Sequence, residues 1–111
     1  MTANSHRICM SSELPDEESR EILIEGLVIA IFRSSGELFA MDGMCMHQGG
    51  PIARGKVEAG CVTCPWHGWQ YELKSGNNAA TGKPMLSTYP IRDHGGWIEI
   101  EIPFHELAVD S

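Results

Sequence analysis

The sequence predicts an all-β protein, and three observations support this fold class. Three short apolar runs, at 19–24, 27–33 and 37–41, are separated by brief turns that contain glycine, as in an antiparallel meander. The stretch 96–102 alternates isoleucine with glutamate, which is the two-residue period of a half-buried strand. No window shows the 3.6-residue periodicity of an amphipathic helix, so a sandwich or barrel of strands is expected.

The remaining elements follow from their local composition. We expect one helical turn at most in the acidic stretch 13–18. A strand is predicted near 86–91, joined to the C-terminal strand by a hairpin turn at 94–96. The middle of the chain, from about 42 to 86, is rich in glycine and proline and lacks long strands. We therefore predict a single domain, 1–111, with a small cofactor-binding subdomain at 42–86 inserted into the β framework.

Charge and hydropathy narrow the possible functions. The formal net charge is -7, from 15 acidic and 8 basic side chains. A nucleic acid or an anionic membrane would repel such a chain at long range, so neither is an expected partner. The acidity instead suits docking on a basic patch of another protein. No apolar run is long enough to span a bilayer and the N-terminus lacks the pattern of a signal peptide, so a cytoplasmic location is expected.

Two pairs of cysteine and histidine indicate a metal centre. Cys45 and His47 form the first pair, Cys64 and His67 form the second, and the sixteen residues 48–63 separate them. Each pair lies in a segment with glycine, whose small size lets backbone N–H groups approach sulfur. Two thiolates and two imidazoles are the ligand set of a Rieske [2Fe–2S] cluster, which this pattern predicts.

Two other chemistries compete for these residues. Zinc fingers place both cysteines before both histidines and hold the second pair on a helix, whereas here the order is Cys-His-Cys-His with no predicted helix. Cys61 and Cys64 have the C-x-x-C spacing of redox dithiols. They lack the strand-then-helix setting of that motif, so the iron–sulfur interpretation is favoured.

The two ligand segments, C-x-H followed by C-P-W-H-G-W-x-Y, resemble those of the Rieske family. The resemblance extends over nearly the whole chain. The resemblance implies that Cys45 and Cys64 bind the inner iron and that His47 and His67 bind the outer, solvent-facing iron. It also implies antiparallel sheets stacked as a double sandwich, with the cluster at one tip. The stretch 81–85 is similar to the family's proline loop, which shields a third side of the cluster.

Differences from the respiratory members of this family are informative. Those proteins carry a disulfide beneath the cluster, and the matching positions here are Gly50 and Trp66. They also carry a serine that donates to a bridging sulfide, where this chain has Trp69, whereas their thiolate-bonding tyrosine corresponds to Tyr71. Trp66 and Trp69 either line a docking surface or pack over the cluster.

These differences point to a free-standing Rieske ferredoxin that resembles the carriers of ring-hydroxylating dioxygenases. The resemblance implies an electron-transfer component, not an enzyme in its own right, that works between a reductase and an oxygenase. Two alternatives stay open. One is the Rieske-like small subunit of a larger enzyme, such as an assimilatory nitrite reductase, and the other is a module that senses redox state.

The missing serine donor generates a prediction about the reduction potential. Hydrogen bonds to sulfur stabilise the extra negative charge of the reduced state and raise the potential. Rieske centres span about -150 to +300 mV, and we expect this protein in the lower part of that range. The reduction potential is measured by a redox titration followed by visible absorption. A value above about +200 mV would contradict this expectation.

Overall fold

The computed structural model describes residues 3–44, 50–66 and 68–103. This part of the chain consists of β-strands and two short 3₁₀ turns and contains no α-helix, which confirms the predicted all-β class. No helix in the described ranges is long and apolar enough to cross a membrane. The strands are β1 (Ala3–Met10), β2 (Glu18–Ile24), β3 (Leu27–Ser34), β4 (Glu37–Asp42), β5 (Lys56–Glu58), β6 (Cys61–Thr63), β7 (Gln70–Glu72), β8 (Ile91–His94) and β9 (Trp97–Pro103).

The predicted meander is present as the sheet β2-β3-β4, with all pairings antiparallel. Its two hairpin turns place successive residues at positive φ, with Ser35 at 53° and Gly36 at 82° in the second turn. Two-residue turns of this kind match the twist of the strands that they join. The expected helical turn near 13–18 is a 3₁₀ turn that lies earlier, at Ser11–Glu13.

The strand β3 contributes side chains to two separate cores. Ile29 and Ile31 pack with the isoleucines of β9 in one core, while Ala30 and Phe32 pack with Tyr71 in the other. A strand that is covered on both faces must be apolar at successive positions, which explains its unbroken apolar run. The sheet β2-β3-β4 therefore lies between β1-β9-β8 and β5-β6-β7, and the three layers form the predicted double sandwich.

The C-terminal strand alternates as predicted. Ile98, Ile100 and Ile102 are buried, whereas Glu99 and Glu101 bind the guanidinium of Arg92 on the outer face. The strand β1, which the sequence analysis did not predict, pairs with β9 along its length. Its side chains are polar and apolar in no regular order, partly because a bulge between Arg7 and Cys9 shifts the alternation.

The strand predicted at 86–91 has different bounds, since β8 begins only at Ile91. The preceding residues bond instead to β4: the N–H of Tyr89 donates to the carbonyl of Ala40 at 3.0 Å, and the N–H of Asp42 donates to that of Ser87 at 3.0 Å. The chain thus changes sheets at Pro90, whose carbonyl accepts from Glu101 on β9. The apolar residues of this stretch contribute to two sheets. The local sequence does not show where the chain passes from one sheet to the other.

The middle of the chain forms the small sheet β5-β6-β7, whose strands have three residues each. Short strands with long connections agree with the glycine- and proline-rich composition there. The limits of the subdomain at 42–86 and the single domain at 1–111 stay predictions.

Asp42 ties the end of β4 to the segment before β8. Its carboxylate accepts from the hydroxyl of Tyr89 at 2.7 Å and from the N–H of Ser87 at 2.9 Å. Burial, followed by the hydrogen bond and the charge of Asp42, raises the pKa of the Tyr89 hydroxyl. The carboxylate thereby fixes the chain on both sides of the middle region.

We predict that Tyr89→Phe lowers the free energy of unfolding by about 1–2 kcal/mol, because a hydrogen bond to a charged acceptor is lost. Guanidinium denaturation followed by circular dichroism measures the difference. The tyrosine pKa in the unfolded chain is about 10, and its native pKa is higher. The contribution of Tyr89 is therefore complete below about pH 10 and is lost as the pH rises beyond it, so the two proteins converge. A difference that grows with alkaline pH would contradict this explanation.

Candidate metal centre

Cys64 directly follows β6, the central strand of the small sheet. Pairing of β6 with β5 on one side and β7 on the other fixes the direction in which the chain leaves the sheet. The N–H of Cys64 donates to the carbonyl of Trp69 at 2.7 Å, which closes the loop that contains the second predicted ligand pair. The cysteine is completely buried and belongs to the same core as Tyr71.

The sulfur of Cys64 has the surroundings of a ligand thiolate. The N–H of Trp66 donates to its Sγ at 3.4 Å. Gly50 lies against the same sulfur, since a Cβ atom at that position would be 3.0 Å from Sγ. Backbone donors and a close, side-chain-free approach suit a sulfur that shares the negative charge of an iron–sulfur cluster. The residues present at this position therefore fit the predicted cofactor.

The described ends of the first ligand loop lie beside the second loop. Met44 and Pro51 form an isolated antiparallel bridge, which brings together the chain on either side of the first pair. Gly43 anchors this bridge, because its N–H donates to Val28 on β3 and its carbonyl accepts from Ile52. Gly50, at the end of the loop, is buried against Cys64.

Of the four predicted ligands, Cys64 alone lies in the described part of the chain. Cys45, His47 and His67 lie outside the described residues, so their assignment stays a prediction. Accordingly, the described side chains by themselves contain no group of three His, Cys, Asp or Glu residues that could hold a metal. Cys61 lies on β6 and no helix follows Cys64 in the described residues, so the strand-then-helix setting of a redox dithiol is not present there.

Gly50 and Trp66 occupy the two positions that the resemblance assigns to a disulfide in respiratory members. They are in contact here, because a Cβ atom on residue 50 would lie 2.9 Å from Cγ of the indole. The Trp66 indole thus packs against the backbone of Gly50, at the place where the respiratory proteins have a disulfide bond. This contact joins the two ligand loops by packing.

The two tryptophans of the second loop differ in environment. Trp66 is 46% exposed, whereas Trp69 is half-buried and packs against the core that contains Cys64. The sequence left packing and docking open for both residues. The structure places Trp69 against the core and Trp66 at the surface, and their roles at the cluster stay a prediction.

The stretch 81–85 faces the second loop across a notch of about 470 Å³. Asn78 shapes this stretch: its side-chain oxygen accepts from the N–H groups of Ala80 and Thr81, and its backbone pairs with Lys83 and Gly82. Asn78 was not among the residues predicted from the sequence. An asparagine two residues before a turn is a known turn signal that could have found it.

Comparison with known proteins decides the family. A family model described as the Rieske [2Fe-2S] domain matches residues 4–90. The chain belongs to the Rieske [2Fe–2S] family. Its cofactor is therefore a Rieske cluster, which confirms the cofactor predicted from the two cysteine–histidine pairs.

Individual relatives of this Rieske protein are ferredoxins. The anthranilate 1,2-dioxygenase ferredoxin subunit of Burkholderia cepacia is 32% identical over 101 residues, covering 90% of this chain and 94% of the relative. The solved Sphingomonas yanoikuyae B1 ferredoxin is 26% identical with a TM-score of 0.80, and the match covers 90% of this chain and all of the ferredoxin. These matches confirm that the protein is an electron-carrying component rather than a catalyst.

A third similarity concerns the fold alone. A solved structure described as a putative NADH-dependent nitrite reductase small subunit from Mycobacterium tuberculosis has a TM-score of 0.85 at 19% identity, over 95% of this chain and all of that one. The three-layer fold is thus shared by ferredoxins and by a protein described as an enzyme subunit.

We predict that Gly50→Ala lowers the amount of cluster per chain, since the added Cβ atom must displace the Trp66 ring or the Cys64 sulfur. Iron content and visible absorption of the purified protein measure the loss. Gly60→Ala is the matched control: residue 60 has a φ of 78° but no atom within 4 Å of a new Cβ. It should cost about 1 kcal/mol of stability and retain the cluster. Equal iron content in both variants would contradict the role assigned to residue 50.

Proposed function

We propose that this protein is a one-electron carrier that receives electrons from a reductase and delivers them to a terminal oxygenase. Its cluster is held by Cys45, His47, Cys64 and His67. The observation that carries this proposal is the buried Cys64 sulfur, which accepts a backbone hydrogen bond and faces the end of the first ligand loop. A Rieske cluster, once bound, supplies one-electron oxidation and reduction at a potential set by its surroundings.

The residues around this site have separable roles in the proposal. Cys64 and Cys45 bind the inner iron, and burial of Cys64 keeps water from its sulfur. His47 and His67 bind the outer iron and form the route by which the electron leaves. Trp69 and Tyr71 belong to the core behind Cys64 and hold it in place, so that little reorganisation accompanies electron transfer.

The wider setting is part of the same proposal. The protein acts as a single domain in the cytoplasm, with a cluster-binding subdomain at about 42–86, and its partners are proteins rather than nucleic acid or membrane. The match to 94% of the dioxygenase ferredoxin subunit supports the role of a ferredoxin component.

A second candidate is the small subunit of a nitrite reductase, which the TM-score of 0.85 supports at the level of fold. The two candidates differ in association. A subunit purifies with a large partner in fixed stoichiometry, whereas a carrier binds its partners transiently and exchanges between them.

The proposal is tested by measuring both the spectrum of the cluster and its transfer of electrons to an oxygenase. Reduced wild-type protein should show the low average g value of mixed nitrogen and sulfur ligation by electron paramagnetic resonance. It should also support turnover of an oxygenase from the same organism when a reductase is supplied. Cys64→Ser should lose the cluster and this activity.

Cys61→Ser is the matched control, because Cys61 lies three residues earlier and is not a predicted ligand. It should retain both the spectrum and the transfer of electrons. Loss of the cluster in Cys61→Ser but not in Cys64→Ser would refute the ligand assignment. A wild-type protein with an intact Rieske spectrum that reduces no oxygenase would refute the carrier role.

A further inference from the structure

The net charge of the protein is distributed unevenly along its fold. Between the end of β4 and the start of β8, residues 43–90 carry four basic side chains and two acidic ones, which gives +2. The other residues together carry -9, since the whole chain has a net charge of -7. The acidity that the sequence suggests for docking therefore belongs to the residues outside this segment, most of which form the sheets β1-β9-β8 and β2-β3-β4. The segment that contains all four predicted ligands is basic.

Strand register sorts the charges within this segment further. Lys56 on β5 lies opposite Thr63, which directly precedes Cys64. Glu58 and Glu72 both lie opposite Cys61, at the other end of the small sheet. Lys56 is 3.6 Å from Glu58, but the side chains are 77% and 69% exposed, so this pair has little strength. The backbone of Lys56 therefore lies at the end of the sheet that leads to the ligand loop, with its exposed ammonium group also beside Glu58.

Lys83 adds a second cation beside the second ligand loop. It is exposed and lines the notch of about 470 Å³ together with Gly68, Trp69 and Met85. No described residue makes an ion pair or hydrogen bond with its ammonium group. Because no described residue pairs with it, Lys83 is available to a carboxylate of another protein.

Large apolar side chains are exposed at the same end. Met44 and Trp66, each beside a predicted ligand pair, are 50% and 46% exposed. Aromatic and methionine side chains are enriched in the centres of protein interfaces, and charged residues form the rim. We define the tip surface as the set formed by Met44, Trp66, Trp69 and Met85 with the two cations Lys56 and Lys83.

We propose that the redox partner docks on the tip surface with an apolar patch bordered by carboxylates, not with a basic patch. This inference rests on the proposed function, because it places the exit of the electron at the ligand loops. Reduction adds one negative charge. The segment 43–90 then changes from +2 to +1, so it stays basic in both states. At physiological salt the Debye length is about 8 Å, so nearby lysines influence a docked partner more than the distant acidic sheets do.

The experiment uses small ions to measure the local charge where the electron leaves. Reduced protein is mixed by stopped flow with hexacyanoferrate(III), a trianion, or with hexaammineruthenium(III), a trication. One electron passes from the protein to the metal complex, which becomes hexacyanoferrate(II) or hexaammineruthenium(II). We expect the rate constant with the anion to fall as ionic strength rises from about 100 to 500 mM, where the Debye length is about 10 Å or less, although the whole protein is negative.

Lys83→Gln should slow the anion reaction by about twofold at about 100 mM salt, as expected for losing one charge about 10 Å from a trianion. Lys74→Gln is the matched control, with the same charge change in the exposed turn that follows Glu72 at the far end of the sheet. It should change the rate much less. Equal effects of the two variants, or an anion reaction that accelerates with salt, would overturn the inference.

The same variants distinguish this inference from the proposed function. If the wild-type protein has no Rieske spectrum, the proposed function fails and the ion kinetics cannot be observed. If the spectrum is intact and Lys83→Gln behaves as Lys74→Gln, the docking inference alone fails. With an oxygenase that accepts its electrons, Lys83→Gln should raise the half-saturating carrier concentration and leave the maximal rate unchanged. A fall in the maximal rate alone would count against docking.

Discussion

The close approach of Gly50 to the Cys64–Trp66 segment is the contact on which the site depends. A side chain at residue 50 would occupy the space that the sulfur and the indole now fill. Because this space is free of side chain, the end of one ligand loop rests directly on the start of the other. A disulfide would hold the loops covalently, whereas here Gly50 packs against Trp66 and Cys64. Formation of the metal centre therefore depends on the close contact of Gly50 with Cys64 and Trp66.

The framework sheets support this contact from a distance. Strand β3 is buried on both faces and lies between two cores, one of which contains Cys64. The carbonyl of Val28 on β3 accepts from Gly43, which in turn accepts from Ile52, so the bridge that closes the first loop is attached to the central sheet. Asp42 likewise attaches the segment that precedes β8, because its carboxylate accepts hydrogen bonds from Ser87 and Tyr89. The loops at the tip are anchored by backbone that belongs to rigid layers.

The separation of charge gives the molecule two different surfaces. The framework carries most of the carboxylates, and they are suited to keeping the protein soluble and dispersed. The tip combines exposed apolar side chains with lysines. The segment 43–90 and the rest of the chain therefore differ in the sign of their net charge.

The sequence by itself determined the fold class, the meander, the alternation in β9 and the family, because these depend on local periodicity and on short motifs. The cysteine–histidine spacing was sufficient to predict the cofactor, which the family match confirmed. It did not determine β1, the change of sheets at Pro90 or the contact of Gly50 with Trp66, since each joins residues that are distant in the chain. It also gave one net charge, whereas strand register places the backbone of Lys56 at the end of the small sheet next to Cys64 and that of Glu58 and Glu72 at the other end. Pairing across strands is a property of the folded chain, so only the tertiary structure decided which charges lie beside the ligand loops.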